Sequence, residues 1–80
     1  MIKKRISHIL KELLPDEDYS TDIERLVIIG QSSLLALSFV TVIEEVFNIE
    51  LDNDQINHKF FLELDYIEEI ILECQKEKQT

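Results

Sequence analysis

Gly30-Gln31-Ser32-Ser33-Leu34-Leu35-Ala36-Leu37-Ser38-Phe39-Val40-Thr41-Val42-Ile43-Glu44-Glu45-Val46-Phe47-Asn48 carries the most informative pattern in the chain. Ala36, Phe39, Val40, Ile43, Val46 and Phe47 fall on one face of a helix and suit a core. Gly30 interrupts the chain ahead of them. Ser32 or Ser33 supplies a side-chain oxygen that accepts from a free backbone N–H of the first turn. Asn48 is a stop. The spacing predicts a helix from residue 32 or 33 to about residue 47. Leu34, Leu35, Leu37 and Val42 are apolar too and do not all share that face, and Glu44 and Glu45 are the only charges. A helix apolar on most sides is either central in its bundle or meets another molecule. Few helices of so small a protein are covered all round, so one or two of Leu34, Leu35 and Leu37 are candidates for a partner-facing patch. The start of the same helix, with its free N–H groups and partial positive charge, favours a phosphate. An exposed serine hydroxyl there is a reasonable acceptor for a phosphate-linked modification.

Outward from this helix the chain reads as all-α. Ile2, Ile6, Ile9, Leu10, Leu13 and Leu14 form an apolar stripe over residues 2–14, which Pro15 closes. Residues 15–32 read as a long connection, acidic at first, with Asp22 as a capping residue. Ile23, Leu26 and Ile28 or Ile29 pin it to the bundle, with room for one short helical turn. Asp52-Asn53-Asp54 caps a short third helix of one or two turns. A last helix begins near Phe60 or Phe61 and runs toward Gln75, with Phe61, Leu64, Ile67, Ile70 and Ile71 inward. The polar tail, about residues 76–80, is expected to fray.

Eighty residues make one domain with a modest core. One glycine and one proline leave little for tight hairpins, which argues against an all-β fold. A net charge of −9 repels nucleic-acid phosphates and anionic membrane surfaces, and favours basic patches on protein partners. Cys74 is the only cysteine, which excludes an internal disulfide and a cysteine-based metal site. No apolar run approaches the ~20 residues of a membrane span. The basic start, Met1-Ile2-Lys3-Lys4-Arg5, lacks the apolar run of a signal peptide, so a cytoplasmic location follows by default. His8 and His58 have no metal-ligand spacing, Tyr19 and Tyr66 read as packing residues, and no metal site is expected. Glu63, Asp65, Glu68, Glu69 and Glu73 read as a solvated helical face, and no catalytic constellation is present.

Gly30-Gln31-Ser32-Ser33-Leu34 resembles the Gly-x-Asp-Ser-Leu motif of the acyl and peptidyl carrier proteins. The likeness continues through Ile43-Glu44-Glu45-Val46-Phe47-Asn48-Ile49-Glu50-Leu51, the acidic Asp52-Asn53-Asp54-Gln55-Ile56, and Phe61-Leu62-Glu63-Leu64-Asp65-Tyr66-Ile67. It covers essentially the whole chain, residues 1–80. The resemblance implies a four-helix bundle with a long first loop and a short third helix. It implies that Ser33 bears a 4′-phosphopantetheine arm from coenzyme A, whose thiol holds acyl, aminoacyl or polyketide groups as thioesters. Counting back from Glu44-Glu45-x-Phe47 favours Ser33 over Ser32 as the attachment point.

Two departures bear on partners. Ser32 stands where the family has an aspartate that helps the modifying transferase engage, which points to slower or narrower modification or to a dedicated transferase. The first half of the helix, Leu34-Leu35-Ala36-Leu37-Ser38, lacks the family's acids, leaving Glu44, Glu45 and Glu50. The expected docking residues are therefore Leu34, Leu35, Leu37, Glu44 and Glu45, read by a specialised partner that relies on apolar contact. On this reading the chain is not an enzyme but a stand-alone, monomeric carrier. It serves a phosphopantetheinyl transferase, an acyl- or aminoacyl-loading enzyme and synthases of a nonribosomal-peptide, polyketide or modified fatty-acid pathway. The alternative is an unmodified helical interaction module that uses the same leucine patch.

Overall fold

The structure, a computed structural model, describes residues 2–15 and 21–78. Among these residues there are four α-helices, one 3-10 turn and no strand. The helices are α1 (Ile2–Leu13), α2 (Asp22–Gln31), α3 (Ser33–Phe47) and α4 (Leu64–Lys78), and the 3-10 turn is His58–Phe61. α1 packs against the other three α-helices, and the 3-10 turn lies against α2 and α4.

The apolar stripes account for the core. α1 buries Ile6, Ile9 and Leu10; α3 buries Phe39, Val40, Ile43 and Phe47; α4 buries Ile67, Ile70 and Ile71. Ile2, Leu13, Leu14, Leu64 and Phe61 are partly buried at its margin. Val46, expected inside, is 39 % exposed because its place on α3 looks past the core toward the side of α1.

The main correction concerns residues 15–32. In place of a long first loop, its second half is a ten-residue helix, α2. Thr21, not Asp22, is its cap: the Thr21 hydroxyl accepts from Glu24 N–H at 3.2 Å. Leu26 and Ile29 are fully buried, while Ile23, expected as an anchor, is exposed. Arg25 is also buried, and its Nε donates to the Leu14 carbonyl at 2.9 Å, tying α2 to the end of α1. A cation at the carbonyl end of a helix is favourably placed. Of the acidic first half of the connection, residues 16–20, Tyr19 included, lie outside the described residues.

The short third helix begins later than expected. Asp52-Asn53-Asp54 forms a turn, with Gln55 and Ile56 N–H donating to the Asp52 carbonyl at 3.0 and 3.3 Å. Asn57 caps the 3-10 turn by accepting from Lys59 N–H at 3.0 Å, and its amide donates to the Tyr66 hydroxyl at 2.7 Å. α4 starts at Leu64 rather than at Phe60 or Phe61, and continues past Gln75 to Lys78. Residues 79 and 80 lie outside the described residues.

Three phenylalanines join the 3-10 turn to α3. Phe60 meets Phe39 edge to face, with centroids 5.9 Å apart, and Phe61 lies 5.1 Å from Phe60 and 6.5 Å from Phe39. Phe61 also packs on Gly30, so the glycine lies inside α2 and serves close approach rather than chain breaking. A Cβ at Gly30 would stand 2.7 Å from Phe61 Cβ and 3.0 Å from its Cγ. Gly30→Ala should therefore destabilise the chain by about 1–2 kcal/mol in urea denaturation, the overpacking cost exceeding the helix-propensity gain. An unchanged or raised midpoint would show that α2 and the turn separate freely.

Candidate functional site

The site is a corner. The chain bends by 119° between α2 and α3, and a single residue, Ser32, makes the break. Ser32 has an extended backbone, φ −114° and ψ 119°. Its N–H donates to the Ile29 carbonyl at 3.2 Å and closes α2. Its hydroxyl accepts from Leu35 N–H at 3.3 Å and its carbonyl from Ala36 N–H at 2.8 Å, which opens α3. Ser32 is thus the capping serine, half-buried and used by the backbone.

Ser33 is the first residue of α3 and is exposed. Its backbone N–H and that of Leu34 fall outside the intrahelical ladder, as they must in a first turn. No acidic side chain occupies this turn. An exposed hydroxyl at the positive end of a 15-residue helix whose own first turn has no acid is a favourable place for a phosphate group. A cleft of about 220 Å³ opens next to the corner, lined by Val27, Gly30, Gln31, His58, Phe61 and Leu62.

The five expected docking residues fall into three kinds. Leu34 and Leu37 are 74 % and 66 % exposed and lie one turn apart beside Ser33. Leu35 is partly buried against the core. Glu45 is exposed, and Glu44 is turned into the fold, where its carboxylate accepts from Leu51 N–H at 2.8 Å. The outward face of α3 is therefore apolar at the Ser33 end and acidic at the other. Asn48 ends the helix in a left-handed conformation, φ 54° and ψ 54°. Leu34 and Leu37 thus stand uncovered in the structure, while Leu35 does not.

Cys74 lies away from the corner, beside Glu50, Asp52 and Glu77. Its thiol donates to the Glu50 carbonyl at 3.6 Å and lies 3.9 Å from the Gln55 amide nitrogen. Burial pushes its pKa up, and the nearby carboxylates of Glu77, Asp52 and Glu73 add to this against the opposing Gln55 contact. Among the described residues no three His, Cys, Asp or Glu side chains are grouped to hold a metal ion. No single helix among them is long and apolar enough to cross a membrane. Comparison with family models, with curated proteins and with solved structures finds no match to this chain.

Sequence reasoning left the cap open between Ser32 and Ser33; the structure assigns it to Ser32, which both closes α2 and opens α3. The signal that α2 runs up to Ser32 was present in Leu26, Ile29 and the absence of any proline after residue 15, but Gly30 masked it. The geometry separates the two serines energetically. Ser32→Ala should cost about 1 kcal/mol or more of stability through the lost cap. Ser33→Ala should stay within about 0.5 kcal/mol. Paired urea melts check this, and equal effects would contradict the cap assignment. Cys74, with its raised pKa, carries less thiolate near neutral pH than an ordinary thiol. Alkylation by iodoacetamide at pH 7.5 should therefore be slower for the folded chain than for the urea-unfolded chain.

Proposed function

We propose that the chain is a carrier protein whose Ser33 is the attachment point of a 4′-phosphopantetheine arm. The observation that carries this reading is the corner. Of two adjacent serines, the one in the register of the carrier motif is exposed at the positive end of α3, while its neighbour is occupied as a cap. When bound, the arm supplies a terminal thiol that holds acyl or aminoacyl groups as thioesters. The chain's own residues do the rest. Ser33 Oγ is the attachment atom, Ser32 fixes the direction of α3 beneath it, and the first-turn N–H groups of Ser33 and Leu34 favour the phosphodiester charge. The tether gives partner enzymes a high effective concentration of the cargo.

Leu34 and Leu37 are the docking contacts on this reading, with Glu45 at the far end of the same face. Burying one leucine side chain contributes roughly 1.5–3 kcal/mol. Two such contacts favour a dedicated synthase partner with an apolar receptor surface over long-range steering. The chain acts as a monomeric, non-enzymatic carrier for a transferase, a loading enzyme and a specialised synthase in the cytoplasm.

The same exposed leucines favour a second reading, an unmodified module that docks through Leu34 and Leu37 alone. Ser32 in place of the motif's aspartate removes a carboxylate the transferase would use, and supports this alternative. Incubation with coenzyme A and a promiscuous phosphopantetheinyl transferase, followed by intact-mass measurement, separates the two. The carrier reading expects one added phosphopantetheinyl group, lost in Ser33→Ala and kept in Ser32→Ala. No addition with several transferases overturns it and favours the module.

A further inference from the structure

Charge is unevenly placed along this acidic chain. α1 holds four cations, Lys3, Lys4, Arg5 and Lys11, against one acid, Glu12, for a net +3. The rest of the chain holds four cations and sixteen acids, net −12. Lys3 is paired with Asp65 of α4. Lys4 and Arg5 stand instead along an open groove of about 500 Å³ between α1 and α3. Ile9, Val42 and Val46 give it an apolar lining, and His8 and Glu12 complete it. The Arg5 guanidinium lies 5.2 Å from the centroid of the Phe47 ring, a cation–π contact that holds the cation at the groove. His8 Nε2 lies 3.1 Å from a Glu12 carboxylate oxygen.

We propose that this groove docks an acidic amphipathic helix of a partner protein. Its apolar residues would seat on Ile9, Val42 and Val46, and its flanking carboxylates would meet Lys4 and Arg5. Three features select this occupant. The groove is open along one side, whereas a small-molecule pocket encloses most of its ligand. A helix needs cover on one face only. From Lys4 to Glu12 α1 rises about 12 Å, a little over two turns, which matches apolar anchors one turn apart. The cations give the groove a sign opposite to the rest of the surface. At physiological ionic strength fields fade over about 8 Å, so Lys4 and Arg5 set the local preference while the acidic remainder repels the same segment elsewhere. The site is independent of Ser33 and of any modification there.

The test uses the full chain, 15N-labelled, and two designed helical peptides with leucines one turn apart. One peptide has glutamates flanking the leucines and the other has lysines. The acidic peptide should bind with a Kd of roughly 1 mM or tighter. Its amide shifts should concentrate at Lys4, Arg5, His8, Ile9, Val42 and Val46. At those residues the lysine peptide should be at least tenfold weaker. Lys4→Glu and Val46→Gln, both at exposed positions, should each weaken the acidic peptide about tenfold while the thermal melt stays in place. Equal response to both peptides at the groove, shifts confined to Leu34 and Leu37, or no binding at 1 mM overturns the proposal. So does a groove whose shifts follow the chain's own concentration, since a second copy would then be its occupant.

Discussion

Ser32 is the residue on which the architecture turns. Its N–H closes one helix, and its hydroxyl and carbonyl open the next, so the chain bends by 119° from α2 into α3 with no loop between them. A loop at this point would let α3 rotate against α2. A one-residue corner instead fixes where the α3 first turn points, and with it where Ser33 and Leu34 are displayed. The corner is braced from behind by Gly30 on Phe61, and Phe61 in turn touches Phe39 of α3. Backbone capping and aromatic packing thus act on the same few residues from opposite sides.

This arrangement divides α3 between two tasks. Phe39, Val40, Ile43 and Phe47 hold the core, while Leu34, Leu37 and Glu45 look outward. An exposed pair of leucines contributes little to folding and gains when a partner covers it. No acid of α3's own first turn offsets the helix's positive end beside Ser33. A phosphate-linked arm and an apolar docking face can therefore occupy neighbouring positions without competing. Glu44 shows the opposite economy: a residue that reads as a surface acid in the motif is used inside the fold to hold Leu51.

Much of this was legible in the sequence wherever one face of a helix is clearly apolar. The stripes Ile6, Ile9, Leu10 and Ile67, Ile70, Ile71 predicted buried faces, and α3 was placed almost to the residue by its serine cap and Asn48. α2 was missed because Gly30 reads as a breaker when its reason, close approach of Phe61, lies thirty-one residues away. The buried Arg25 was missed for a similar reason, since its partner, the Leu14 carbonyl, is a backbone group on another helix. Val46 fits the α3 stripe by spacing, yet it lines the groove between α1 and α3 and stays partly exposed. At the site, spacing and motif register singled out Ser33. That Ser32 is spent on the backbone follows from the corner geometry.

The proposed attachment of the arm to Ser33 is most directly tested on the protein as it exists in its own cells. Tandem mass spectrometry of the chain isolated from its own cells measures this directly, by localising any phosphopantetheinyl group on the peptide that spans the corner. A modified population with the group on Ser33 and Ser32 bare is expected. A chain recovered wholly unmodified from cells that contain an active phosphopantetheinyl transferase, or one modified on Ser32, would contradict it.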